Sequence, residues 1–236
     1  MNHMKIGLTA TVIALAMTAL VGPAANAQDG QSSGISPHDR ADVETHLIES
    51  NIPADQRSAI LATLDSGGVL ESSDDDAVPV RIDERVENGW NISMATFSDG
   101  SYRTQETEQG TDSTAKSGAS TNASGVTSCS NSTAGSYEVR TGCTVRFEDS
   151  ISWMSYVMDH RFVPGGAGFG QIDAVYGFKA DVYYGSYGNG SVSIVKQSGN
   201  PAIAESGFDY NLNGGGGGHS SALAYVDSSG LRQGDF

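Results

Sequence analysis

From Tyr137 to Phe147 the chain reads Y-E-V-R-T-G-C-T-V-R-F. Tyr137, Val139, Thr141, Cys143, Val145 and Phe147 fall on one side of a two-residue period; Glu138, Arg140, Thr144 and Arg146 fall on the other. Successive side chains of a strand point to opposite faces, so this stretch predicts a half-buried strand with Cys143 turned inward. Further along, Ile151 to Met158 carries Trp153, Met154, Tyr156 and Val157 and is apolar on both faces, as a covered central strand is. Ile172, Ala174, Tyr176, Phe178, Ala180 and Val182 form another alternating set, and 191–196, 203–212 and 222–226 add three more. In the other direction, Val80, Ile82 and Val86 alternate with Arg81, Asp83 and Arg85. Asn88-Gly89 and Asp99-Gly100 then supply hairpin turns around 91–97 and 102–107. About nine or ten short strands separated by turn signals predict an antiparallel β-sandwich over 78–236, with a β-barrel as the alternative.

The period is helical only before this region. Ser36, Pro37 and Asp39 make a helix start, with Val43 and Leu47 on one face. Pro53 opens a second helix striped by Ile60, Leu61 and Leu64, and Gly67-Gly68 ends it. Residues 28–69 therefore read as a disordered start and a helical hairpin, too small to bury much alone. It must dock on something or serve as a detachable handle. Glu71 to Asp76 (E-S-S-D-D-D) lacks the alternating carboxylates and glycine of a calcium loop, so 70–77 reads as a solvated acidic linker. Residues 110–127, rich in Ser, Thr, Gly and Asn, read as a mobile loop.

Lys5, the apolar run Ile6 to Val21 and Ala25-Asn26-Ala27 have the pattern of a signal peptide, 1–27, cut before Gln28. The expectation is a secreted protein with no membrane attachment after cleavage. With 13 Lys+Arg against 28 Asp+Glu the formal charge is −15, which argues against a nucleic-acid partner. Cys129 and Cys143 are the only cysteines; in an oxidising compartment they predict a disulfide. No CxxC or HExxH occurs, so neither a metal nor another cofactor is implied.

Chemistry is sparse. Gly30-Gln31-Ser32-Ser33-Gly34 matches the GxSxG elbow, but no strand enters it, and the glycine clusters at 165–170 and 214–218 read as turns. A lone histidine on an apolar face, such as His46, reads as packing. Asp159 and His160 are neighbours on one strand and point to opposite faces. Asp173 and Asp181 share a face, about 26 Å apart at roughly 3.3 Å per residue, too far for a glycosidase pair. Glu148 or Asp149 opposite Asp159 across a hairpin is the remaining carboxylate pairing. The tyrosines of Tyr183-Tyr184-Gly185-Ser186-Tyr187 offer a binding candidate, since Tyr183, Tyr184 and Tyr187 combine flat apolar area with a hydroxyl.

The stretches F-S-D-G-S (Phe97 to Ser101) and S-C-S…G-C-T-V (Ser128 to Val145) resemble secreted actinobacterial β-rich proteins of unknown function. These share a signal peptide, short helical segment, FADGS-like hairpin, serine-rich loop, cysteine pair and glycine-rich β tail. The resemblance spans most of 36–212 and implies export and a β-rich body; it lends no catalytic residues. The function expected is a non-catalytic extracellular module that binds an envelope component, such as a glycan, or a protein. The alternatives are a secreted hydrolase using His160 or His219 with a sheet-face carboxylate, and an exported toxin or inhibitor.

Overall fold

A computed structural model describes residues 34–74, 76–109, 111–112, 129–166, 168–214 and 216–234. The expected signal peptide and the disordered start up to residue 33 lie outside them. So does most of loop 110–127, of which Thr111 and Asp112 are described and pair with Ser130 and Asn131.

Helix α1 (Pro37–Glu49) begins as its sequence predicts: the Ser36 hydroxyl accepts from the Asp39 N–H and donates to the Asp39 carboxylate. Helix α2 (Ala54–Asp65) follows Pro53, and Gly67 leaves it at a φ of 73°. The strands are β1 (Arg81–Glu87), β2 (Trp90–Thr96), β3 (Tyr102–Glu108), β4 (Thr111–Asp112), β5 (Ser130–Ala134), β6 (Tyr137–Asp149) and β7 (Ser152–Phe162). They continue with β8 (Gly170–Val182), β9 (Gly185–Lys196), β10 (Ser198–Gly199), β11 (Ala202–Leu212), β12 (Gly217–Asp227) and β13 (Gly230–Gln233). The larger sheet runs β1-β2-β3-β6-β7-β8-β10, with β4 and β5 beside β6; the smaller runs β13-β12-β11-β9. All pairings are antiparallel except β4 with β5. The architecture is the expected β-sandwich preceded by a helical hairpin, not a closed barrel.

Two apolar clusters fill it. One holds Cys129, Cys143, Tyr156, Met158 and Ile172 of the larger sheet against Ala202, Ala204, Ala224 and Val226 of the smaller. The other joins Val43, Leu47, Ile60, Leu61 and Leu64 of the helices to Phe147, Ile151, Met154, Val182, Phe208 and Tyr210. The helical hairpin is thus part of the main core rather than a separate handle.

In β6 and β8 the expected alternation holds over part of the strand and is inverted over the rest. In β6, Cys143, Val145 and Phe147 face inward opposite Met158, Tyr156 and Met154. Thr141 and Gly142 then oppose Asp159 alone, with Gly142 at a φ of 71° and its N–H donating to the Asp159 carboxylate. Beyond this bulge the faces exchange, and Arg140 pairs with buried His160 and lies 5.1 Å over the Phe162 ring. Tyr137, Val139 and Thr141 therefore do not share the face of Cys143. A second bulge at Gly177 (φ 69°) turns Tyr176 outward, opposite Val157, and Ala174 lies outward opposite Asp159. β7 is buried on one face only; Trp153, Ser155, Val157, Asp159 and Arg161 are half-exposed.

The segment read as a solvated linker is fastened at its start. Leu70 is buried, and the Glu71 carboxylate accepts from the Ser98 N–H and hydroxyl. Asp99 accepts from the Glu71 N–H, and the Ser101 hydroxyl accepts from the Ser72 N–H. The F-S-D-G-S turn is the clasp that holds the chain between helices and sheet.

Candidate functional site

A row of paired residues crosses the inner face of the larger sheet: Glu84, Ser93, Gln105, Phe147, Met154, Ala180. The next row runs Val86, Asn91, Thr107, Val145, Tyr156. Phe147, Met154, Val145 and Tyr156 are buried beneath the smaller sheet, but that sheet ends at β13. The Gln233 side-chain amide fixes β13 over β2 and β3 by donating to the carbonyls of Asn91, at 3.2 Å, and Gln105. The inner sides of β1 and β2 extend past this edge, leaving a groove of about 730 Å³.

Its floor has apolar and polar parts. Ile82 and Val86, from the apolar side of the β1 alternation, are 52% and 75% exposed here. Asn91, Ser93 and Thr107 line the same space, and the buried Thr107 hydroxyl has no hydrogen-bond partner among the described residues. Arg232 forms a wall, its Nε 2.7 Å from Asp227 and its guanidinium 4.7 Å above the Tyr225 ring. A long trough with an apolar strip and several hydrogen-bonding groups suits an extended chain, whose side chains alternate between the two.

The tyrosine candidates lie elsewhere, and the fold does not bring them to one open surface. Tyr184 is buried in the helix-facing core. Tyr183 stacks on His46 with ring centroids 3.7 Å apart, and burial pushes its hydroxyl well above the usual tyrosine range. Tyr187 is 46% exposed and meets Phe208 edge-on. His46 itself is packed in the helix–sheet joint, in a hydrogen bond of 2.8 Å with the Tyr102 hydroxyl, and burial holds its pKa below the ordinary histidine value.

The histidines named for a hydrolase separate sharply. His160 is fully buried, with neither ring nitrogen hydrogen-bonded among the described residues, and burial lowers its pKa to about 3. It offers no proton to solvent. His219 is exposed on the outer face of the smaller sheet, its Nδ1 2.8 Å from Asp209, which also accepts from Asn189 at 2.7 Å. Among the described residues no nucleophilic side chain hydrogen-bonds the His219 Nε2, so the pair stops short of a triad.

The carboxylates do not pair. Asp149 is buried and accepts from the Ile151 and Ser152 N–H groups and the Ser152 hydroxyl; burial raises its pKa to about 6. Glu148 opposes Trp153, leaving Asp159 six residues further along β7, roughly 20 Å at about 3.3 Å per residue. Asp173 is engaged by Arg161, which donates to both carboxylate oxygens at 2.8 to 3.1 Å.

Cys129 and Cys143 form the expected disulfide, and both are buried. No described helix is long and apolar enough to cross a membrane. Among the described residues no group of three or more His, Cys, Asp and Glu side chains is placed to hold a metal ion. The groove was not legible beforehand, because an alternating strand reads alike whether or not a second sheet covers it. No family model, curated protein or solved structure matches the chain.

Proposed function

We propose that the chain is a secreted, non-catalytic binding module whose groove between β13 and the β1–β2 hairpin takes an extended segment of a protein partner. The observation that carries this reading is the overhang: an inner sheet face with exposed Ile82 and Val86 and a Thr107 hydroxyl that has no partner among the described residues, extending beyond β13. Secretion is supported by the N-terminal Lys5, apolar run and Ala25-Asn26-Ala27, and is in keeping with the disulfide. Selection of random peptides against the immobilised protein tests the reading. Enriched peptides should bind the wild type and lose about tenfold or more in affinity to Asn91→Trp, while His219→Ala binds them normally. Failure to enrich any peptide, or binding indifferent to Asn91→Trp, would overturn it.

A second reading, hydrolysis with His219 as general base, draws on the 2.8 Å contact with Asp209. It requires turnover of an activated ester or amide that disappears in both His219→Ala and Asp209→Asn.

A further inference from the structure

β1 lies at the end of the larger sheet and, among the described residues, pairs only with β2. Its sequence, Arg81-Ile82-Asp83-Glu84-Arg85-Val86-Glu87, complements its own reversal. Set antiparallel to a second copy about Glu84, Arg81 meets Glu87, Ile82 meets Val86 and Asp83 meets Arg85, each twice. We infer that two copies of this chain associate through β1, joining their larger sheets into one continuous sheet about a two-fold axis.

Three features support a second copy as the occupant of this edge. First, the backbone faces the right way. Asn88 and Gly89 hold positive φ values of 51° and 84°, a two-residue type I′ turn, so Glu87 and Trp90 exchange both backbone hydrogen bonds. By alternation Ile82, Glu84 and Val86 then turn their N–H and C=O groups toward the free edge, and these are the residues the self-register makes opposite one another.

Second, the outer-face charges form a checkerboard. Arg81 already contacts Asp83 at 2.7 Å and Arg85 contacts Glu87 at 3.2 Å within the strand. In the pair, each of these charges also faces an opposite charge across the junction. Other registers lose this: a two-residue slip sets Arg81 against Arg85. Third, Ile82 and Val86 are largely exposed on the inner face and meet each other across the axis. The single mismatch is Glu84 opposite its own copy, a like-charge pair that limits affinity.

The inference shares Ile82 and Val86 with the groove but does not depend on peptide binding, because its test reads self-association without ligand. Sedimentation velocity of the full chain, from micromolar to millimolar concentration, should show a monomer–dimer equilibrium. Glu84→Gln should lower the dimer dissociation constant about two- to fivefold. Two exposed charge variants give the decisive arm: Asp83→Arg with Glu87→Arg makes the outer row all positive, and Arg81→Glu with Arg85→Glu makes it all negative. Each alone should be monomeric, and their mixture should form a heterodimer. A wild type that stays monomeric at millimolar concentration, variants that each self-associate like the wild type, or a mixture that stays monomeric would overturn the proposal. Circular dichroism melts check that both variants fold; if either fails, the Glu84→Gln shift decides.

Discussion

Along the row from Ala180 to Glu84, one end is sealed and the other is bare. Phe147, Met154 and Ala180 share a cluster with Leu47, Ile60 and Leu64 of the helices. Glu84 and its neighbours Ile82 and Val86 have neither the helices nor the smaller sheet above them. Strand chemistry is similar at both ends, so what differs is coverage. Burying a large aliphatic side chain stabilises by about 1.5–3 kcal/mol, and only the covered end gains it. The sealed end carries the stability of the fold, and the bare end is free to serve contacts with other molecules.

That contrast can be broken most directly in the helices. Leu47→Ala, at a site with no exposure, should cost toward the upper part of about 2–5 kcal/mol in chemical denaturation. The unfolding curve should remain a single transition, since helices and sandwich share one cluster; a separate early step would mean the hairpin is a detachable element after all. Removing the disulfide with Cys129→Ser and Cys143→Ser should cost about 3 kcal/mol, because both cysteines sit in the cluster between the two sheets and the bond closes a short ring. Peptide affinity should be unaffected at temperatures where the variant is folded.

Acid sharpens the comparison between buried groups. His160 has a folded pKa of about 3, below its unfolded value near 6.5, so the stability it contributes is present above pH 6.5 and is lost as pH falls toward 3. The loss is about 1.4 kcal/mol per pH unit. Asp149 acts in the opposite sense: its pKa, raised from 3.8 to about 6, makes the folded state gain stability as pH falls through that window. His160→Leu should leave stability at pH 7 unchanged or higher and remove the acid-side loss due to the imidazole. Urea midpoints from pH 7 to pH 4 measure this, and an unaltered acid slope would contradict it. The smallest effect belongs to the bare end. Val86→Ser should alter stability by no more than about 0.5 kcal/mol, and a larger loss would show that something covers β1.

Much of this was readable from local chemistry. Ser36 and Pro37 mark α1, Asn88-Gly89 marks the first hairpin, and Cys143 faces inward as its alternation requires. The misread portions have two physical causes. Gly142 and Gly177 sit inside alternating runs without disturbing their hydrophobic pattern, so a bulge there is silent in sequence although it exchanges the faces beyond it, in β8 as far as a second irregularity at Asp173 that returns Ile172 to the core. Coverage is non-local: Val86 and Val145 are both valines on alternating strands, and only the position of β13 leaves one exposed and the other buried. The groove escapes sequence reasoning for that second reason, and the tyrosines divide between interior and surface, with Tyr184 in the helix-facing core and Tyr187 46% exposed.

The bulge at Gly142 also bears on how the gene can vary. Loss of that one codon would leave Thr141 alone opposite Asp159 in a regular strand, with Arg140 still opposite His160 and Cys143 still opposite Met158. Each half of β6 would keep the face it has now, whereas the same loss inside a regular stretch of the strand would exchange the faces of everything on one side of the gap. Among descendants of this chain, alignment gaps should therefore be tolerated at codon 142 without coordinated replacements at 137, 139 and 140.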